Sequence, residues 1–219
     1  MSREPKVQLP HMYLITYNLV STVLWAVIFV TNLKDIVAVL FPGTFDSYYL
    51  SHEFTDFPHK LLVITQVMNT ICEILHSLTG LTKSPVSVVL LQFFARDVIC
   101  IGVCYLVPLS SGNYSPAFMG LLVAWSVVEL IRYPYYLLKI GGFQVPGWLN
   151  WLRYSAFLVL YPLGLVTEPV VVYKSLAYID NWFHYYFFTL GLGMYIPGMY
   201  ILYSYMLKQR RKMLSHKTK

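Results

Sequence analysis

The sequence predicts an all-α polytopic membrane protein, a bundle of six transmembrane helices with an interior polar cavity. Three observations carry that reading. Hydrophobic residues make up 57% of the 219-residue chain and charged ones only 12%, about half the charged share of an ordinary soluble domain. A soluble domain of this length cannot hide so much apolar surface, and the mean hydropathy is +0.57. The apolar residues fall into runs near the ~20-residue length of a membrane-crossing helix. The few ionisable residues inside those runs nearly balance in sign.

The first run, about residues 12–33, is uncharged. It is longer than a signal-peptide core and lacks an A-x-A cleavage site, so it reads as a retained helix. Residues 34–60 are polar and punctuated by Pro and Gly, as in LFPGTFDSYYLSHEFTDFPHK, and read as a surface loop. The second run, 61–81, carries Glu73 and His76; the third, 86–107, carries Arg96 and Asp97. The fourth, 116–138, carries Glu129 and Arg132. The fifth, 149–173, holds Arg153 and Glu168 and is punctuated by Pro162, Gly164 and Pro169; the sixth, 182–207, is uncharged. No repeat, low-complexity stretch or linker interrupts the chain, so residues 1–219 form a single membrane domain ending in a basic tail, 208–219.

The net charge of +6 would ordinarily raise nucleic acid as a partner, but its position argues otherwise. Residues 1–207 hold ten Lys or Arg and ten Asp or Glu; the tail KQRRKMLSHKTK supplies the whole excess. A basic tail after a hydrophobic segment reads as a cytosolic flank, and no nucleic-acid partner is expected. With the N-terminus cytosolic, Arg3, Lys6, Lys83, Lys139 and the six tail residues lie inside, against Lys34, Lys60 and Lys174 outside. Ten against three favours two cytosolic termini and an even number of spans. The last four residues, His216-Lys217-Thr218-Lys219, lack the second Lys that a dilysine retrieval signal wants before Lys217.

Each charge inside a membrane needs a reason. Glu129 and Arg132 are three apart, on one helix face, and can pair; Glu73 and His76 share a face in the same way. Arg96 and Asp97 are adjacent, point in different directions and must each find a partner on another helix. Structural pairing accounts for Glu129 with Arg132, but so many interior charges imply a polar cavity. Tyr161 precedes Glu168 by seven residues, which returns the side chains to within about 20° of one face, about 10.5 Å apart along the axis. A carboxyl group and a phenol facing a desolvated cavity form an acid/base pair in principle, although a Tyr on an apolar helix ordinarily serves packing.

Other chemistries lack their residues. The six His, at 11, 52, 59, 76, 184 and 216, form none of the clustered boxes that hold iron. Gly191-Leu192-Gly193 lies inside a run and lacks the third Gly of a dinucleotide loop. Leu78, Leu106 and Ser110 stand where a thiol phosphatase would place Arg after Cys72, Cys100 or Cys104, and these Cys read as small buried hydrophobes. Metal, nicotinamide and thiol chemistry have no evident site, and no cofactor is expected. Acid/base chemistry or none remains.

Several segments together resemble the membrane very-long-chain 3-hydroxyacyl-CoA dehydratase family of fatty-acid elongation, formerly called protein-tyrosine-phosphatase-like. They are YNLVSTVLW at 17–25, EILHSLTGLTKSP at 73–85, QFFARDV at 92–98, AWSVVELIRYPYY at 124–136, LRYSAFLVLYPLGLVTE at 152–168 and YIPGMYILYSYM at 195–206. Ala95 stands where the family suggests Ser, Asp97 is an unexpected acid, and Met199 stands where Phe is usual. The resemblance implies catalytic Tyr161 and Glu168, six spans, an endoplasmic reticulum location and cytosolic termini. It also implies the third step of elongation, loss of water from a 3-hydroxyacyl-CoA to give the trans-2-enoyl-CoA. The partners it implies are the acyl-CoA substrate, membrane lipid, and the condensing enzyme, ketoacyl-CoA reductase and enoyl-CoA reductase of the cycle.

On this reading Glu168 takes the C2 proton and Tyr161 protonates the departing hydroxyl, with the reverse, Glu168 polarising Tyr161, left open. Arg96, Arg132 and Arg153 are candidate donors to the enolate-like thioester oxygen. Glu129, Glu73 and His76 complete the set as substrate or structural support. If the fifth helix enters near Trp148, Tyr161 lies about 20 Å deep and Glu168 about 10 Å deeper. The charged end of CoA must stay in water, so the expectation is a cytosol-facing opening leading to an apolar tunnel between helices, with Gly191, Gly193 and Pro197-Gly198 as small-residue walls. The alternative is a non-catalytic scaffold of the elongation complex or a small transporter. Intact Tyr161 and Glu168 weigh against the first, and the missing internal repeat against the second.

Overall fold

The computed structural model describes residues 9–43, 59–82, 84 and 86–215. Helix α1 spans Leu9–Leu40 and α2 His59–Leu78. Helix α3, Val86–Asp97, runs on into π-helical turns over Val98–Tyr105. Helix α4 spans Pro116–Ile140, α5 Gly147–Ser155, α6 Phe157–Ser175 with a closing 3-10 turn at Leu176–Tyr178, and α7 Trp182–Ser215. No strand occurs among the described residues. Five stretches are long and apolar enough to cross a membrane: α1, α2, α4, α5 with α6, and α7. The third expected span, 86–107, corresponds to α3 and its π continuation, of which 12 residues are α-helical.

Helix α1 shows how this sequence builds a membrane bundle. Its buried residues Leu14, Asn18, Ser21, Trp25, Ile28, Asn32 and Asp35 alternate at spacings of four and three, one narrow seam of a helix. Val20, Val23, Val27 and Val30 face outward. The seam carries the polar residues and the outer face the apolar ones, because lipid solvates only the latter. Lys34 and Asp35 look in sequence like the exit from the membrane, and residues 34–40 were expected in the loop. The seam instead continues through buried Asp35 and Ala38, and the helix with it. The remaining loop positions 44–58, the N-terminal residues 1–8, Lys83 and the terminal His216–Lys219 lie outside the described residues.

Helix α4 is the hub, packed against α1 on one side and α6 on the other. Pro116 opens it at a position where a missing N–H costs nothing. Antiparallel pairing with α1 is fixed at both ends, where Asn32 Nδ2 donates to the Met119 carbonyl (3.0 Å) and the Tyr17 and Tyr133 hydroxyls meet at 3.4 Å. The main core joins Trp25 and Ile28 of α1, Leu62 of α2, Cys100 and Cys104 of the π turns, Phe118 to Trp125 of α4, Val171 of α6 and Phe188 of α7. Gly102 leaves room for the Phe188 ring, and Gly120 lets α4 approach Thr167 of α6.

The fifth expected span divides at one residue, Ala156, whose backbone stays in the α region (φ −58°, ψ −31°), and α6 runs through both Pro162 and Pro169. Leu149, Leu152 and Ala156 cover a second small core with Ile131 and Tyr135 on the C-terminal half of α4. Helix α7 lies against α6 loosely, with 6% of its most apolar window buried. Contacts Tyr17–Tyr133, Arg153–Tyr136 and Arg210–Ser155 put Leu9 and Ser215 at the same end of the bundle.

Candidate active site

Residues Trp125, Glu129 and Arg132 recur at spacings of four and three, so α4 presents them along one face. Tyr161, Gly164 and Glu168 do the same on α6. Together with Arg96 of α3, Arg153 of α5 and Met199 of α7 they line a chamber of about 270 Å³. The chamber extends past Arg153, Tyr205 and Gln209, toward the end of the bundle that holds Leu9 and Ser215. A second, apolar space of about 880 Å³ lies between α6 and α7, lined by Leu165, Pro169, Tyr173, Leu192, Ile196 and Tyr200 among others. Tyr161 and Met199 line both. The expected tunnel is therefore a groove: Tyr173, Ile196 and Tyr200 on its walls remain exposed. Gly191, Gly193 and Pro197-Gly198 are not among its lining residues, and a Cβ at each glycine would meet nothing within 4 Å.

The charges sort into two groups. Arg96, Glu129, Arg132 and Glu73 form a chain of alternating sign across α3, α4 and α2. Arg96 pairs with Glu129, Arg132 Nε donates to Glu129 Oε2 at 2.6 Å, and Arg132 Nη1 donates to Glu73 Oε2 at 2.7 Å. The expected pair of Glu129 and Arg132 thus forms, and each has a second partner. Glu73 lies behind Arg132, not on the chamber, where the Tyr133 and Tyr17 hydroxyls donate to it at 3.0 and 3.3 Å. His76 sits farther along α2 with its Nε2 2.8 Å from the Tyr13 hydroxyl. Asp97 accepts from Thr70 and Gln66 of α2 (3.0 and 3.3 Å), so the adjacent Arg96 and Asp97 do face different helices. Among the described residues, Arg153 donates to the Tyr136 hydroxyl at 3.4 Å and stacks over its ring.

Glu168 is held differently. It takes part in no ion pair among the described residues. The indole Nε1 of Trp125 donates to its Oε1 and the Tyr195 hydroxyl to its Oε2, both at 2.7 Å. Arg96 lies over the Trp125 ring at 5.2 Å, so the nearest arm of the charge chain touches the indole. Tyr161 stacks on Tyr203, and its hydroxyl meets the Met199 carbonyl at 3.5 Å, longer than an ordinary O–H···O bond. That hydroxyl is loosely held beside the chamber. Tyr161 and Glu168 share a chamber, as their seven-residue spacing indicates, without bonding each other.

Trp125 and Tyr195 escaped the reading of the sequence as site residues. Trp125 carried a signal, its helical register with Glu129 and Arg132. Tyr195 carried none, because its partner is 27 residues away on another helix. No three of the described His, Cys, Asp and Glu residues are grouped closely enough to hold a metal ion.

Known proteins agree with the resemblance. The family model described as "Protein tyrosine phosphatase-like protein, PTPLA" matches residues 66–216. A "Probable very-long-chain (3R)-3-hydroxyacyl-CoA dehydratase" of Schizosaccharomyces pombe is 34% identical over 97% of this chain and 95% of its own. "Very-long-chain (3R)-3-hydroxyacyl-CoA dehydratase PASTICCINO 2" of Arabidopsis thaliana is 31% identical over 93% of each chain. "Very-long-chain (3R)-3-hydroxyacyl-CoA dehydratase 2" of Homo sapiens is 31% identical over 93% of this chain and 81% of its own. No solved structure matches. This similarity over nearly its whole length makes the chain a member of the PTPLA family.

Proposed function

We propose that this protein is a membrane hydro-lyase that converts a long- or very-long-chain (3R)-3-hydroxyacyl-CoA into the trans-2-enoyl-CoA, the dehydration step of fatty-acid elongation. Its homologues carry that activity in their names. The observation that carries the site assignment is the placing of Tyr161 and Glu168 on one chamber that joins an apolar groove. A fatty acyl-CoA needs both environments, a polar place for the reacting carbons and an apolar place for the chain.

Glu168 takes the C2 proton, which the neighbouring thioester acidifies. The electron pair of that C–H bond becomes the C2–C3 double bond, and the C3–oxygen bond breaks as Tyr161 delivers a proton to the hydroxyl, releasing water. Two neutral donors suit Glu168 to the role of base, since they orient the carboxylate without tying it to a cation. The long contact to Met199 leaves the Tyr161 proton available. Arg96 and Arg132 are already engaged by carboxylates. Arg153, without an ion pair among those described, faces the mouth of the chamber and suits the anionic end of CoA.

The membrane in question is the endoplasmic reticulum, with both termini and the chamber mouth cytosolic. Basic residues beside the runs support that orientation, and so does the common end shared by Leu9 and Ser215. Six crossings, α3 with its π turns being one, agree with it. The condensing enzyme and ketoacyl-CoA reductase would supply the substrate, and the enoyl-CoA reductase would consume the product.

Purified full-length protein in lipid, given 3-hydroxyacyl-CoA of several chain lengths, tests the assignment. Tyr161→Phe and Glu168→Ala should each lower turnover by at least about 100-fold while the protein stays folded. Near-normal turnover in either variant overturns the pair, and an inactive wild type favours a scaffold.

A further inference from the structure

We infer that Tyr195 is a positioning residue that holds the Glu168 carboxyl group in both of its proton states. The inference rests on the dehydratase reading of Glu168. It starts from what each donor can do. The Trp125 indole N–H donates and never accepts, so Glu168 Oε1, 2.7 Å away, remains an acceptor throughout turnover. A proton taken from substrate therefore belongs on Oε2, the oxygen bonded to Tyr195.

A phenol differs from an indole because its O–H can rotate. The Tyr195 hydroxyl has a second acceptor within reach, the Gly164 carbonyl at 3.3 Å. While Glu168 is a carboxylate, Tyr195 donates to Oε2. Once Oε2 is protonated and accepts poorly, the Tyr195 proton turns to the Gly164 carbonyl and no buried donor is stranded. The carboxyl group thus keeps its place through the proton transfer. A Cβ on residue 164 would come 3.2 Å from Glu168 Oε1, so that oxygen would have to give by a few tenths of an ångström to admit one.

The arrangement sets Glu168 apart from Glu129, whose two guanidinium partners hold it in one charged state. It also ties α7 to α6 at the reacting group, although α7 is otherwise loosely packed.

Tyr195→Phe removes the hydroxyl and keeps the ring. In reconstituted full-length protein its kcat should fall about 10- to 100-fold, the scale of a lost hydrogen bond to a charged group, with KM nearly unchanged. In infrared difference spectra, the carboxyl band identified by its absence in Glu168→Gln should shift in Tyr195→Phe. Placing p-aminophenylalanine at 195 restores a donor and should recover part of kcat. Retained kcat, a raised KM with unchanged kcat, or an unshifted band overturns the inference. Should Tyr195→Phe not fold, the band in the p-aminophenylalanine protein decides, since a weaker donor must also move it. If Glu168→Gln itself keeps normal turnover, the catalytic reading of Glu168 fails, and the infrared shift still decides whether Tyr195 holds its carboxyl.

Discussion

Glu129 accepts from two guanidinium groups, whereas Glu168 accepts from an indole and a phenol. That contrast distinguishes the two chamber-lining acids, and on the proposed reading it gives Glu129 a structural role and Glu168 a chemical one. A carboxylate between two Arg is stabilised as an anion and makes a poor base, and a guanidinium shared by two carboxylates keeps fewer of its five N–H donors for a substrate. Arg132 is the keystone of the ionic chain, because it alone touches both Glu129 and Glu73. Arg132→Met should cost about 3–5 kcal/mol by leaving Glu73 without a cation and the buried Glu129 with Arg96 alone, seen as a lower unfolding midpoint in detergent. Arg153→Met, which loses one long bond to Tyr136, should cost less than about 1 kcal/mol. Equal losses in the two variants would contradict the keystone role. The sequence reveals the Glu129–Arg132 register but leaves the roles of Arg96, Arg132 and Arg153 open, since partner choice depends on helices that are distant in sequence.

Helices α6 and α7 divide the work at the level of elements. Helix α6 carries Tyr161 and Glu168 and is anchored through Thr167, Val171 and Ser175, all buried. Helix α7 buries little and leaves the apolar groove beside α6. On the proposed reading, loose packing of α7 gives a flexible hydrocarbon chain a wall without a fixed end. Filling the groove should therefore discriminate by chain length. Ile196→Trp, at an exposed groove position, should raise KM for long acyl chains more than for short ones, measured across a chain-length series. An equal effect at every length would place the chain elsewhere. Pro162 and Pro169 are the strong local signals for a break in this span, yet α6 runs through both and the helix divides at Ala156.

On the scale of the whole molecule, the apolar excess of the chain is its lipid-facing surface. The outward residues of α1 and most of α7 are exposed aliphatic and aromatic side chains, and the seam that a soluble protein would make apolar here contains Asn18, Ser21, Asn32 and Asp35. On the proposed topology, with both ends cytosolic, tags at the two termini should be digested by protease in sealed microsomes without detergent. A glycosylation acceptor inserted after Gly43 should be modified. Protection of either tag would reverse or break the proposed topology.

Local pattern was enough to find the helices, the buried charges and the Tyr161–Glu168 register, because helical periodicity and hydropathy are properties of consecutive residues. Packing decided that Glu129 and Glu73 are neutralised by Arg, whereas Glu168, like Asp97, is left to neutral donors. It also joined Trp125, Glu168 and Tyr195 into one site. Those contacts depend on how each helix is rotated against its neighbours, and that rotation is settled by the summed burial of the bundle, not by any single segment.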